Sequence, residues 1–279
     1  MIEQDAQPAY LVTARWLSEH LADPNVRVVD TRSPALYEAG HIPGAIFLDV
    51  QSLHPVDTSP AAMREWIGRV SEACSVAGIT DQHQVVFYEE VSGEIAPRGV
   101  WMLSYLGHSG ARLLDGGLNA WLATGYRTVA RPSSVPRAPF HARPRPELLA
   151  TREYILEHLG DPHVRLLDVR RAREYAGTEI RARRGGHIPG AIHREWLNNL
   201  AEDGSYRPPA ALATTYADLQ LDGDQTIIPY CQHGYRSANT WLALTLLGYR
   251  QVRNYLGSWD EWGNQDGLPI ATAAPLRYE

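Results

Sequence analysis

The residues best suited to chemistry stand together in Cys231-Gln232-His233-Gly234-Tyr235-Arg236-Ser237. A thiol sits there where an apolar run gives way to a helical one. Thr226-Ile227-Ile228-Pro229-Tyr230 reads as a buried parallel strand, and Ser237 through Leu247 carries Trp241, Leu242, Leu244, Thr245 and Leu247 at helical spacing, with Gly248 as the stop. If residues 231–236 curl round the sulfur, their N–H groups and the helix N-terminus converge on it as a nest for anions, which favours a nucleophilic thiolate. Pro229 conflicts with an ordinary central strand because it offers no N–H to a ladder, and it predicts fraying or bending there.

A lone cysteine is most often an inert, buried small hydrophobe. The strand-loop-helix context reverses that reading for Cys231. Cys74, in a helix-like run from Met63 to Ala77 without a loop or cationic neighbour, keeps it. Two cysteines without a CxxC give no disulfide framework. No His/Cys/Asp/Glu grouping has metal-ligand spacing, and neither a GxGxxG nor a P-loop is present, so no metal and no cofactor is expected.

The positioning elements are written twice. Thr13, Glu19, His20, Leu21, Asp23, Pro24, Val26, Arg27, Asp30, Arg32 and Tyr37 recur in order as Thr151, Glu157, His158, Leu159, Asp161, Pro162, Val164, Arg165, Asp168, Arg170 and Tyr175. Gly40-His41-Ile42-Pro43-Gly44-Ala45-Ile46 recurs intact as residues 186–192, after an insertion of eight residues that follows Tyr175. Strand Gln84–Tyr88 matches Thr226–Tyr230, the helix after Val100 matches the one after Ser237, and residues 114–121 match 255–262. Five prolines between Arg131 and Pro146 favour an extended, semi-rigid connector. The division expected is a first domain over 1–130, a Pro-rich linker over 131–149 and a second domain over 150–279. Alternating strands and helices predict a parallel α/β sheet flanked by helices in each domain. Ligands bind such sheets at the carboxyl ends of the strands, which is where the Cys231 loop falls.

Composition bounds the partners. A chain of 279 residues with 44% hydrophobic content supports one large or two ordinary cores, and a formal charge of −6 argues against nucleic acid or an acidic membrane as the main partner. All 26 Lys+Arg residues are arginine, so any cation at a site is Arg or His. No apolar stretch approaches the roughly 18 residues that span a bilayer, and the amino-terminal residues do not read as a secretory signal. A cytoplasmic monomer is the expectation.

Asp-x-Arg followed by Tyr and Gly-His-Ile-Pro-Gly-Ala, a Cys loop ending in Arg-Ser, and Gly-Ser-Trp-x-Glu-Trp-Gly, in this order over nearly the whole chain, resemble the tandem-domain rhodaneses. These are the thiosulfate and 3-mercaptopyruvate sulfurtransferases. The resemblance implies an inactive first domain, and Glu89 stands where Cys231 stands in the second, with extra residues before Arg98, the counterpart of Arg236. It also implies a double displacement, in which the Cys231 thiolate takes the outer sulfur of a donor such as thiosulfate and the persulfide passes it to cyanide or a thiol. The loop sequence departs from the Cys-Gly-Ser-Gly-Val-Thr type of mercaptopyruvate enzymes and from the Arg-Lys of vertebrate thiosulfate enzymes. It resembles a bacterial thiosulfate subgroup, which points to thiosulfate, with mercaptopyruvate as the alternative.

Gln232, His233, Gly234, Tyr235, Arg236 and Ser237 are the candidate donor-binding residues, with Trp196 packed either near the sulfur or in the core. Arg236 has two readings, donor contact or support of the loop. Arg171, Arg173, Arg181, Arg183 and Arg184, in and before the insertion, either form a solvated face or steer an anionic donor, with Arg183 taken as a contact. His41, His187 and the Asp30-Arg32 and Asp168-Arg170 pairs read as supports, because the first copy has them without a nucleophile. Two other classes share parts of the pattern. A cysteine phosphatase or arsenate reductase needs five residues between Cys and Arg where this chain has four, and a silent sulfur-relay module would not require Cys231.

Overall fold

The computed structural model describes residues 10–272. The amino-terminal stretch read against a secretory signal, and the last seven residues assigned to the second domain, lie outside them. The first half runs β1 (Leu11–Val12), α1 (Ala14–His20), β2 (Val26–Asp30), α2 (Pro34–Ala39), β3 (Ile46–Phe47), α3 (Pro60–Val76), β4 (Gln84–Tyr88), α4 (Ile95–Tyr105), β5 (Ala111–Leu114) and α5 (Gly117–Ala123). The second repeats it as β6 (Leu149–Ala150), α6 (Arg152–Glu157), β7 (Val164–Asp168), α7 (Ala172–Ala176), β8 (Ile192–His193), α8 (Pro209–Tyr216), β9 (Thr226–Tyr230), α9 (Arg236–Leu246), β10 (Asn254–Tyr255) and α10 (Ser258–Trp262). Each half is an α/β unit with a parallel sheet between helices.

The repeated residues are repeated devices. Thr13 and Thr151 cap α1 and α6, each hydroxyl accepting the N–H three residues on at 3.1 Å. Asp30 and Asp168 each hold the guanidinium two residues ahead, and Arg32 and Arg170 each donate a further bond of 2.6 Å to the carbonyl of Gly40 or Gly186. That bond fixes the turn carrying His41 or His187, whose ring stacks on Tyr37 or Tyr175 with centroids 3.9 or 3.8 Å apart.

The sheets differ at one strand pair. The first has the continuous order β1-β5-β4-β2-β3, whereas the second divides into β8-β7-β9 and the pair β10-β6. Ile227 turns its own N–H and carbonyl towards Gln251 and Arg253, so Pro229, two residues on, faces the same side with no N–H to give. Among the described residues the pairing that Phe87 makes with Leu113 in the first sheet has no equivalent, and only the Ile227–Val252 bridge joins β9 to the β10 side. The bend expected at Pro229 is a broken ladder next to the cysteine.

One apolar core runs through both halves, joining Trp66, Trp101 and Leu103 to Trp241, Leu242 and Leu244, because α4 and α9 pack against each other. Those helices follow β4 and β9, so the Cys231 loop and its counterpart both open at the junction between the halves. Tyr235 donates to the Gln51 carbonyl at 2.6 Å, Thr58 to Glu261 at 2.7 Å, and Asn239 to the Ser92 and Gly93 carbonyls across it.

Candidate active site

The loop begins where β9 ends and closes on Cys231. Gly234 has φ +78° and directs its N–H at Sγ from 3.2 Å, while a Cβ at that position would lie 2.6 Å from the Leu256 carbonyl oxygen. Only glycine fits there. Asn254, fully buried, donates to the Gly234 carbonyl at 3.2 Å and accepts from the Ser237 hydroxyl at 2.6 Å, tying the loop to the first turn of α9. Arg236 rather than Ser237 opens that helix.

Ser258 holds the other side. Its hydroxyl accepts from the Cys231 N–H at 3.1 Å and donates to Tyr255 at 2.7 Å, and its backbone sits in the left-handed region at φ +53°. The matching residue of the first half is Gly117, at φ +59°. A conformation that glycine adopts without strain is kept in the second copy by a serine, at a cost of about 1–3 kcal/mol, and the gain is a fixed cysteine backbone.

Arg236 is committed to Glu174. Nη1 and Nη2 reach the two carboxylate oxygens at 2.7 and 3.0 Å, and Glu94 lies 4.0 Å from Nε. Glu174 is wholly buried, and its carboxyl stays below the usual range because the bond from Arg236 and that guanidinium's charge outweigh burial. Of its two readings, Arg236 thus takes the supporting one, although it still borders the cavity. Sequence reasoning missed Glu174, but the repeat carried a signal for it: the matching position in the first copy is Leu36.

A cavity of about 290 Å³ opens over Cys231. Gln232, His233, Tyr235 and Arg236 of the loop line it, together with Trp196 and Leu197 and with Gln51, Glu94 and Ile95 of the first half. Trp196 therefore stands at the site rather than only in the core. Burial lowers the His233 imidazole, and burial with the charge of Arg98 brings His54 down to about 3, so both rings are neutral near pH 7.

Arg171 and Arg181 also line the cavity; Arg183 does not. The inserted segment docks on the chain after α10. Arg184 donates to the carbonyls of Trp262, Gly263, Gln265 and Leu268, and the Arg183 N–H bonds the Asn264 side chain at 2.8 Å. That anchoring turns the Arg183 side chain, 65% exposed, towards Asp266 at 3.2 Å. The expected contact at Arg183 is corrected: of the arginines in and before the insertion, Arg171 and Arg181 line the sulfur's cavity.

The first half has a longer loop at the same point, without a nucleophile. Glu89 accepts from Ile95 N–H and Ala96 N–H, each at 2.8 Å, so a carboxyl group of the chain itself fills the nest at the start of α4. Cys74 lies inside α3, and burial pushes its thiol up to about 12. Among the described residues no group of three or more His, Cys, Asp or Glu side chains is placed to hold a metal, and no helix is long and apolar enough to cross a membrane.

Comparison with known proteins agrees with the repeat. The model of the rhodanese-like domain matches residues 13–124 and again 151–265. The chain is 36% identical over 286 residues to a thiosulfate sulfurtransferase of Corynebacterium glutamicum, covering 97% of this chain and 93% of that one. It is 35% identical to the sulfur carrier protein TtuD of Thermus thermophilus, over 95% of this chain and 98% of the relative. Among solved structures, SseA of Escherichia coli, described through the rhodanese fold and the mechanism of 3-mercaptopyruvate sulfotransferases, superposes with a TM-score of 0.79 at 27% identity. It is matched over its full length by 91% of this chain. An anaerobic ergothioneine biosynthesis enzyme of Chlorobium limicola shares the fold, with a TM-score of 0.85 at 24% identity, over 97% of this chain and 72% of that one.

Proposed function

The chain belongs to the rhodanese-like family, with one copy of the domain in each half, and from that premise we propose that it is a sulfurtransferase moving the outer sulfur of thiosulfate to cyanide or a thiol through Cys231. The observation that carries this reading is the sulfur itself, buried at 1% exposure beneath an open cavity, accepting an N–H from its own loop and faced by Arg171 and Arg181. Relatives named as thiosulfate sulfurtransferases support the same donor.

In the first step the Cys231 thiolate attacks the outer sulfur of thiosulfate along the S–S axis. The new Sγ–S bond forms as the old S–S bond breaks, and its electron pair leaves with sulfite. Arg171 and Arg181 draw the dianion in, and loop N–H groups hold negative charge on sulfur without reorganising. In the second step cyanide or a thiolate attacks the terminal sulfur, and the Cys231 thiolate departs. Gln232, His233 and Tyr235 shape the floor on which the donor rests, Gly234, Arg236 and Ser237 hold the loop, and Trp196 walls it. Arg183 has no part. On this reading residues 1–130 support the site, 131–149 connect, and 150–279 react, in a cytoplasmic monomer.

Mercaptopyruvate is the second donor to test, because SseA superposes over its full length. Sulfur transfer to cyanide should be faster by kcat/KM from thiosulfate than from mercaptopyruvate, and should vanish in Cys231→Ser. A preference for mercaptopyruvate would reassign the donor. Hydrolysis of an aryl phosphate without sulfur transfer would replace the reaction class.

A further inference from the structure

Arg98 lies in α4 of the half that has no nucleophile, yet its guanidinium sits beneath the Cys231 loop. It is 0% exposed. Nη1 and Nη2 make only long bonds of 3.4 Å, to the carbonyls of Gly234 and Leu53, and Nε has no partner. Among the described residues no carboxylate lies within 4.0 Å of it. The rings of Trp66, Trp101 and Tyr235 surround it with centroids 5.6, 5.0 and 5.5 Å from Cζ. A buried cation without a counter-ion is costly unless an anion balances it.

The charges around the sulfur leave one place for that anion. Arg236 is neutralised by Glu174, and Arg181 by Glu179 at 2.7 Å. Arg171 is exposed to solvent, which screens its charge, and burial raises the Glu94 carboxyl against the charges of Arg236, Arg171 and Arg181. His54 and His233 are neutral, Tyr235 is held in its neutral form by burial, and Asp260 is half exposed beside His233. Arg98 is the fully buried cation among them, without a carboxylate partner, one residue's thickness from the sulfur: its Nη1 meets Gly234, whose N–H meets Sγ.

We infer that Arg98 is the counter-charge of the reaction, a positioning residue from the first domain that keeps the Cys231 sulfur anionic through the cycle. Burial pushes the Arg98 guanidinium down to about 10, and the groups that oppose this are Tyr235 and the Cys231 sulfur. The domain without a nucleophile thus contributes a charge as well as a wall. The inference rests on the sulfur-transfer reading for its role, but its test needs no sulfur donor.

The test is the rate at which iodoacetamide alkylates Cys231, followed by mass, in Arg98→Met, Arg98→Gln and Arg98→Lys. Near pH 7 the Met and Gln variants should react at least about tenfold more slowly than wild type, because iodoacetamide is attacked by the thiolate and the charge that favours it is gone. The Lys variant should stay within about threefold. Near pH 10 all four should converge, because alkali generates a thiolate without help from a neighbouring charge. Arg98→Gln retains donors for the two carbonyls without the charge, so a wild-type rate in that variant would overturn the inference in favour of hydrogen bonding. A deficit that persists near pH 10 would also overturn it, as a collapsed loop. If wild type alkylates as expected but transfers no sulfur, the proposed function fails while the role of Arg98 stands.

Discussion

Replacing Arg171 or Arg181 by glutamine, with Arg183→Gln beside them, separates steering by the cavity from a general effect of a basic surface. All three residues are exposed, so the interaction with a donor is screened. At about 6 Å and an effective dielectric between 40 and 80, one unit charge contributes about 1 kcal/mol, and a dianion about 2 kcal/mol. Removing Arg171, which among the described residues has no carboxylate within 4.0 Å, should therefore lower kcat/KM for thiosulfate by up to about 30-fold at low ionic strength. Arg181 already pairs with Glu179 and lies 3.9 Å from Glu174, so its loss should be smaller, near threefold to fivefold. The loss should appear in KM more than in kcat, because the charges act before sulfur moves. Raising salt to about 1 M shortens the Debye length to about 3 Å and should bring the variants close to wild type. Arg183→Gln should match wild type at every salt concentration. An equal loss in Arg183→Gln, or a loss in Arg171→Gln that salt leaves untouched, refutes the placement of the donor.

Two further tests address the loop and its empty twin. Ser258→Gly relieves a left-handed backbone and removes the acceptor on the Cys231 N–H; stability should change by less than about 1 kcal/mol while transfer falls about tenfold, and a variant with unchanged turnover would make the hydroxyl dispensable. Burial raises Glu89 from 4.5 to about 8 against the pull of the Ala96 and Ile95 amides. Between those values the unfolded chain has lost the proton that the folded one keeps. The contribution of Glu89 to stability is therefore fully present below about pH 4.5 and is lost as pH rises to about 8, by up to about 1.4 kcal/mol per pH unit. Glu89→Gln should flatten that part of the profile of melting temperature against pH, and parallel profiles would contradict the assignment.

Much of this was legible in the sequence because it was written twice. The repeat supplied the fold, the turn supports and the contrast between Glu89 and Cys231 without coordinates. The same contrast, applied one position before Tyr37 and Tyr175, separates Leu36 from Glu174 and so carried the partner of Arg236. Arg183 was misplaced for a physical reason: an insertion's composition says nothing of which way its side chains turn, and the anchoring of Arg184 on the carbonyls after α10 decides that. Pro229 announced a disturbance, but its direction depended on which neighbour its missing N–H would have faced. Arg98 was visible as a counterpart of Arg236, yet the absence of a carboxylate beside it exists only in three dimensions.

The central claim is that Cys231 carries the sulfur. Intact-mass measurement after incubation with thiosulfate should show an increase of about 32 Da that maps to Cys231, survives Cys74→Ser, disappears in Cys231→Ser and is discharged by cyanide. An adduct on Cys74, or none on wild-type protein, would contradict it.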